Sequence, residues 1–518
     1  MKPAQVPTWA GHRRMLHCAR VSLAGVLLAL ALVQADAASA GVEAGVGSAA
    51  LVEVRVVKAD PGATRVTLSW PRSWRDDVGS PRGNRDGVWI FAKARHADGR
   101  WRHLPLEAVT AEAGYTALTP TDRTGSMLQR STAGSGDATT TLEVRWAADE
   151  RILLIRLFVW PMVLVPEGAF EVGDGDPGTP GRFHDGGNPG RPFRLTDAPT
   201  ELAPRAGALW ADDRRSPLPA GAPGPTPWDG QSGMLPAAFP TGYRAFWLMR
   251  YELTQGQYAD FLDTLTPAQA QARAPSARDF SSGGLVRPDN YRYTVERRGE
   301  QWVAAQPRWS MNWLTWEDGI SVADWAGLRP MSELEFEKAA RGPLAAVPGE
   351  YAWGSTRIVA IRGFDGKDGS GRERAQPPEA NTSWSPSPQD RPLLGPYAAA
   401  ALSDRLTREG RGESFWGAAD LSGNLVEMAV SVGLAAGRAF VPRHGDGELA
   451  SDGTADVADW PRMGPRTGGF GLYGYGYRGG DFFNPETDLR TSSRNVANFG
   501  GTRRLFGLGF RAVRSSVP

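Results

Sequence analysis

The residues best suited to chemistry lie near the C-terminal end. Asp481, Asn484, Glu486, Asp488, Arg490 and Arg494 stand within fourteen positions that contain neither cysteine nor histidine. A carboxylate beside an arginine can act as a general base or orient a substrate, because the neighbouring cation sets its charge and direction. The same residue types can also form a structural ion pair, Glu486 with Arg490, that only holds the loop. Either way the donors are hard oxygens, and monovalent copper needs softer thiolates. A second acidic run, Asp446, Glu448, Asp452, Asp456 and Asp459, can gather cations or make a solvated loop. His96, His103, His184 and His444 are scattered and give no His-x-x-x-His-x-Glu pattern. A two-histidine, one-carboxylate iron site is therefore not expected.

The single cysteine, Cys18, lies in an N-terminal segment that reads as an export signal. His12, Arg13, Arg14 and Arg20 form a basic start, Val21 through Val33 is uncharged and apolar, and Ala38-Ser39-Ala40 is a small-x-small exit. The apolar run is shorter than the roughly 20 residues that span a bilayer. Residues 1–40 are therefore expected to be a signal peptide cleaved after Ala40, giving a periplasmic or secreted protein with no transmembrane anchor in the mature chain. Cys18 leaves with the leader, so stability must come from core burial, without disulfides.

The composition narrows the partners. The net charge is +1, which provides no electrostatic footprint for nucleic acid. Gly 63 and Pro 40 indicate a loop-rich chain, yet 19 Trp and 19 Phe supply an aromatic core that a disordered chain lacks.

The elements that must position the candidate residues fall into two regions. Residues 50–160 read as an all-β, sandwich-like domain: Leu51–Val57, Thr64–Trp70, Val88–Ala94, Thr141–Trp146 and Ile152–Val159 alternate or run apolar at strand length. A second unit extends from Met162 to about 514, with Gly/Pro-rich insertions near 173–192 and 203–240 read as surface. Within it, Thr254 is placed as an N-cap before a helix carrying Tyr258, Phe261 and Leu262. Thr315–Ala326 and Ser332–Arg341 are further helices, the last with Ser332 and Glu335 as a capping box.

Five segments of this second unit resemble the formylglycine-generating enzyme, or sulfatase-modifying factor, family. Glu252-Leu253-Thr254 with Tyr258 and Phe261 is similar to its entry helix. Gly327-Leu328-Arg329-Pro330-Met331-Ser332-Glu333-Leu334-Glu335-Phe336-Glu337-Lys338-Ala339-Ala340-Arg341-Gly342 is similar to its helical signature. Asp420-Leu421-Ser422-Gly423-Asn424-Leu425-Val426-Glu427 resembles its "D-M-x-G-N-V-W-E-W" segment. Tyr477-Arg478-Gly479-Gly480 and Gly509-Phe510-Arg511 resemble its last two motifs. The resemblance implies an α+β fold, a modified C-type-lectin-like domain, here preceded by the small all-β domain.

The family's copper-binding cysteines belong between the Gly-Gly strand and the following arginines, where this chain has Asp481 to Leu489. Formylglycine-generating activity is accordingly not expected, and neither copper nor iron is expected as a cofactor. The resemblance implies structural calcium instead, through Asn424 and Glu427 and more weakly Asn381. A thiol-free, exported branch resembling the pyoverdine-maturation enzyme would place catalysis at Glu486, Arg490, Arg494, Asp481 and Asn484, with a carboxylate orienting a phenolic, peptidic or other small substrate. The alternative is a binding or structural module for a protein, peptide or small-molecule ligand. Its contact face would be the C-terminal loops bearing Arg490, Arg494, Arg503, Arg504, Phe482, Phe483, Asn495, Asn498 and Phe499.

Overall fold

A strand hydrophobic at every position must be covered on both sides, and Val88–Ala92 is such a run. In the computed structural model it is the centre of β4 (Asn84–His96). Val88, Ile90, Ala92 and Ala94 point into one core with Val66, Leu68 and Leu142. Trp89 and Phe91 point into the other, with Phe158, Trp160, Phe261 and Trp325. The period-2 alternation of a strand thus ties two cores to one element.

The structure describes residues 43–46, 51–78, 83–211, 232–281, 290–367, 373–385, 407–465 and 470–516. The chain divides into two units, Met1–Asp36 and Ala37–Pro518. The expected leader lies outside the described residues, as does 212–231 of the second Gly/Pro-rich stretch.

Before and around β4 stand β1 (Glu43–Val46), β2 (Glu53–Asp60), β3 (Ala63–Asp76), β5 (Trp101–His103), β6 (Ala108–Ala111), β7 (Tyr115–Leu118), β8 (Ser126–Arg130), β9 (Gly134–Arg145) and β10 (Ile152–Val165). All five strands expected from alternation are present, with four short ones between them. β10 does not stop near residue 160: its first part pairs antiparallel with β4, while Met162–Val165 pairs with Phe246–Met249. One sheet of 13 strands therefore runs from Arg329–Pro330 through Ala512–Ser515, Phe246–Met249, β10, β4, β3 and β9 to β6.

The α-helices among the described residues are α1 (Gln255–Asp263), α2 (Pro267–Arg273), α3 (Ala277–Ser281), α4 (Trp316–Trp325), α5 (Glu333–Arg341) and the short α6 (Ala435–Arg438). Thr254, Thr315 and Ser332 cap α1, α4 and α5, each closing a reciprocal capping box. Such boxes satisfy helix-end donors that would otherwise be buried unpaired. Among the described residues no helix is long and apolar enough to cross a membrane.

The N-terminal β region is locked to the rest by buried side chains. Trp89 Nε1 donates to the Ala326 carbonyl at 2.8 Å, and Arg72 pairs with Glu413 at 3.2 Å. A Cβ on Gly417 would lie 2.7 Å from the Trp74 indole, so only glycine admits that contact.

Candidate functional site

The loop that holds the candidate residues begins where the strand Tyr475–Arg478 runs into Gly479 and Gly480. Both have positive φ, 81° and 62°, and a Cβ on Gly480 would sit 2.7 Å from Leu489. The glycine pair is thus needed to turn the chain inward. Asp481 follows, almost buried. Its Oδ1 accepts from Phe483 N at 2.8 Å, while its own N–H donates to Asn484 Oδ1 at 2.9 Å. Burial pushes the Asp481 carboxyl up to about 7, against the pull of those backbone donors.

The remaining candidates are each engaged with a different partner. Glu486 Oε1 accepts from the Tyr351 hydroxyl at 2.8 Å. Asp488 accepts from Asn495 Nδ2, and burial raises its carboxyl to about 6. Arg490 donates to Asp176 at 2.9 Å and to Thr179 at 3.1 Å, so its ion pair is with Asp176 and not with Glu486. Arg494 is fully buried over the Phe183 ring and donates to both oxygens of Glu333, at 2.7 and 3.0 Å. Arg478 donates to Glu333 at 3.0 Å and to Glu337 at 2.8 Å. Burial alone would raise the Glu333 carboxyl, but the Arg494 and Arg478 charges outweigh it and hold it below its usual range.

Two expectations are corrected here. Gly173–Pro192 is a surface insertion only in part: Gly187–Arg191 is exposed, but Asp174, Thr179, Arg182, Phe183 and His184 are buried and this stretch supplies partners of Arg490 and Arg494. The C-terminal loops are not an arginine-rich contact face either. Arg494, Arg504, Phe482, Asn498 and Phe499 are buried, and Arg504 forms a two-pronged pair with Asp318 at 2.8 and 2.9 Å. Arg503 is exposed, and Phe483, Arg490 and Asn495 are half-buried.

The residues considered for calcium occupy a buried acidic pocket. Asn424 donates its amide to Glu252 at 2.5 Å and to Ser310 at 3.1 Å. Glu427 Oε1 accepts twice from Arg511, at 2.9 and 2.6 Å, while its Oε2 is buried without a hydrogen-bond partner. Asp420 Oδ2 is likewise buried and unpartnered, and burial lifts that carboxyl to about 7. Asn381 is occupied by backbone: Val359 N donates to its Oδ1 at 2.9 Å, and its Nδ2 donates to the Arg357 carbonyl at 3.1 Å.

In the second acidic run, Asp446 and Asp456 meet a residue not picked out in the sequence, Asp324 of α4. The three offer oxygens within 4.8 Å of one another. Asp324 accepts from the backbone N–H of both Asp446 and Asp456, at 3.2 and 2.9 Å, so its evident task is to fasten the loop to the helix. None of the four described histidines joins a cluster of metal-ligating groups; His444 Nδ1 lies 3.7 Å from Asp122, and its Nε2 accepts from Ser515 N at 3.0 Å.

Residues 222–516 match the family described as the sulfatase-modifying factor enzyme 1-like domain. Among solved structures, Treponema denticola variable protein 1 is similar, with 11% identity, a TM-score of 0.30, and coverage of 69% of this chain and 96% of that one. No curated protein matches.

Proposed function

We propose, on the premise that the chain belongs to the sulfatase-modifying factor enzyme 1-like family, that it is an exported binding or structural module without formylglycine-generating activity. The observation that carries this reading is the loop after Gly479-Gly480. It contains no thiol, Asp481, Asp488, Arg490 and Arg494 hold internal partners, and the exposed Glu486 accepts from Tyr351. A general base must be within reach of substrate, and of these groups only Glu486 is exposed. The modified C-type-lectin-like form of the domain belongs to the same proposal; the mixed helices and short strands between Phe246 and Ser515 are in keeping with it.

Calcium enters as a structural ion only. Glu427 Oε2 and Asp420 Oδ2 are buried, unpartnered hard donors of the kind it takes. Elemental analysis of the purified protein tests the reading: calcium or no metal agrees with it, and stoichiometric copper or iron contradicts it. One observation favours the runner-up, an exported thiol-free enzyme acting on a small or peptidic substrate. Asp481, with its carboxyl near 7, can exchange a proton at neutral pH.

A further inference from the structure

We infer that the cleft between the β4–β5 hairpin and the corner joining α1 to α2 is a binding site for a short neutral oligosaccharide. The cleft has a volume of about 800 Å³ and is built from both halves of the molecule, with Lys93, Trp101 and Arg102 on one side and Gln269, Trp325 and Glu448 on the other. It shares no residue with the Asp481–Arg494 loop, so the inference goes beyond the function proposed above. A volume of this size is in the range of sites that enclose small ligands.

The lining excludes ligands of a single charge. Lys93 continues the inward row of Trp89 and Phe91 on β4, lies 5.1 Å above the Trp325 ring, and donates to the Gly447 carbonyl and to His103 Nδ1. Burial pushes its ammonium down to about 7, against the carboxylates of Glu448, Asp324 and Asp446 that face it. At the rim, Arg102 pairs with Asp98 at 2.6 Å, and Arg100 is a further exposed cation. Two carboxylates, Asp98 and Glu448, and two guanidiniums, Arg100 and Arg102, line the opening, with no excess of either sign among them. An anion would meet Glu448 and Asp98, and a cation would meet Arg100 and Arg102.

What suits such a lining is a neutral molecule whose hydroxyls both donate and accept. Trp101 supplies the complementary surface. The Arg156 guanidinium lies 4.9 Å from its ring and is itself fixed by Asp263 at 2.9 Å, so the indole is held in place without a ligand. A half-exposed, pre-positioned indole offers an apolar face to the C–H side of a sugar ring at low entropic cost. The opposite wall is also fixed: Glu448 accepts from His103 N at 2.6 Å, and Gln269 donates to the Ala450 carbonyl at 3.0 Å.

The test is a titration of the full chain with maltotriose, cellotriose and chitotriose, and with trigalacturonate as the anionic comparison, by calorimetry and tryptophan fluorescence. Saturable binding of at least one neutral probe is expected. It should weaken at least tenfold in Trp101→Ala and recover in Trp101→Phe, which keeps an aromatic face. Arg102→Ala, at the exposed rim, should also weaken it while leaving the circular dichroism spectrum unchanged. Absence of binding by all neutral probes, equal binding by Trp101→Ala, or preference for trigalacturonate would each overturn the inference.

Discussion

Replacing Glu333 by glutamine should unfold this protein far more readily than deleting Arg490, although Arg490 and Glu333's partner Arg494 lie four residues apart on one loop. Glu333 is fully buried and takes Arg494 Nε and Nη2 and Arg478 Nη1, at 2.7, 3.0 and 3.0 Å, together with Val432 N at 2.8 Å. The glutamine keeps the shape but leaves buried Arg478 with Glu337 as its carboxylate and buried Arg494 with the Gly181 carbonyl and Asn498. Removing one partner of a buried ion pair costs about 3–5 kcal/mol, because the charge left behind stays desolvated. The Arg490 to Asp176 pair is partly exposed, at 19% and 26% for the two side chains. Exposed or half-exposed pairs contribute about 1 kcal/mol or less. Urea unfolding of Glu333→Gln and Arg490→Ala, followed by tryptophan fluorescence, should therefore separate them by at least about 2 kcal/mol. Equal midpoints would refute the claim that the loop's arginines are structural pairs ranked by burial.

Further outcomes follow from other contacts. The Asp481 carboxyl, near 7 in the folded protein, lies above its ordinary value of about 4, so its ionisation withdraws stability as pH rises from about 4 to 7. Asp481→Asn should be more stable than the parent at pH 8 and lose that advantage at pH 4, read as the difference in melting temperature between the two. Gly125→Ala would bring a Cβ within 2.4 Å of the Trp89 indole and 2.5 Å of the Ile90 carbonyl, and should cost roughly 1–3 kcal/mol by overpacking. Deleting residues 43–151 should give an insoluble chain, because β10 loses its β4 partner and Phe158, Trp160 and Trp325 lose cover; soluble, cooperatively melting protein would contradict the shared core.

Much of the fold was legible because it rests on local signals. Alternation marked β2, β3, β4, β9 and β10, and Ser332 with Glu335 announced α5. The continuity of β10 was hidden by Pro161, which reads as a strand breaker but sits opposite Val88 while its carbonyl accepts from Arg250 N. The short strands β5 to β8 have three to five residues each, too few for a periodic signal. At the candidate loop the residues were found but not their engagements. Arg494 meets Glu333, 161 positions earlier, and Arg490 meets Asp176, 314 positions earlier, separations that no spacing rule encodes. Asp324 was missed for the same reason, since on α4 it looks like one more helix-surface acid until the Asp446–Asp456 loop folds over it.

The proposed function depends on the loop after Gly479-Gly480 offering no thiolate to a cuprous ion. Incubating the purified protein with cuprous ion, oxygen and a peptide carrying a sulfatase-type cysteine motif, then weighing the peptide by mass spectrometry, tests it directly. A peptide with its thiol intact is expected; conversion of that cysteine to the aldehyde would overturn the proposed function.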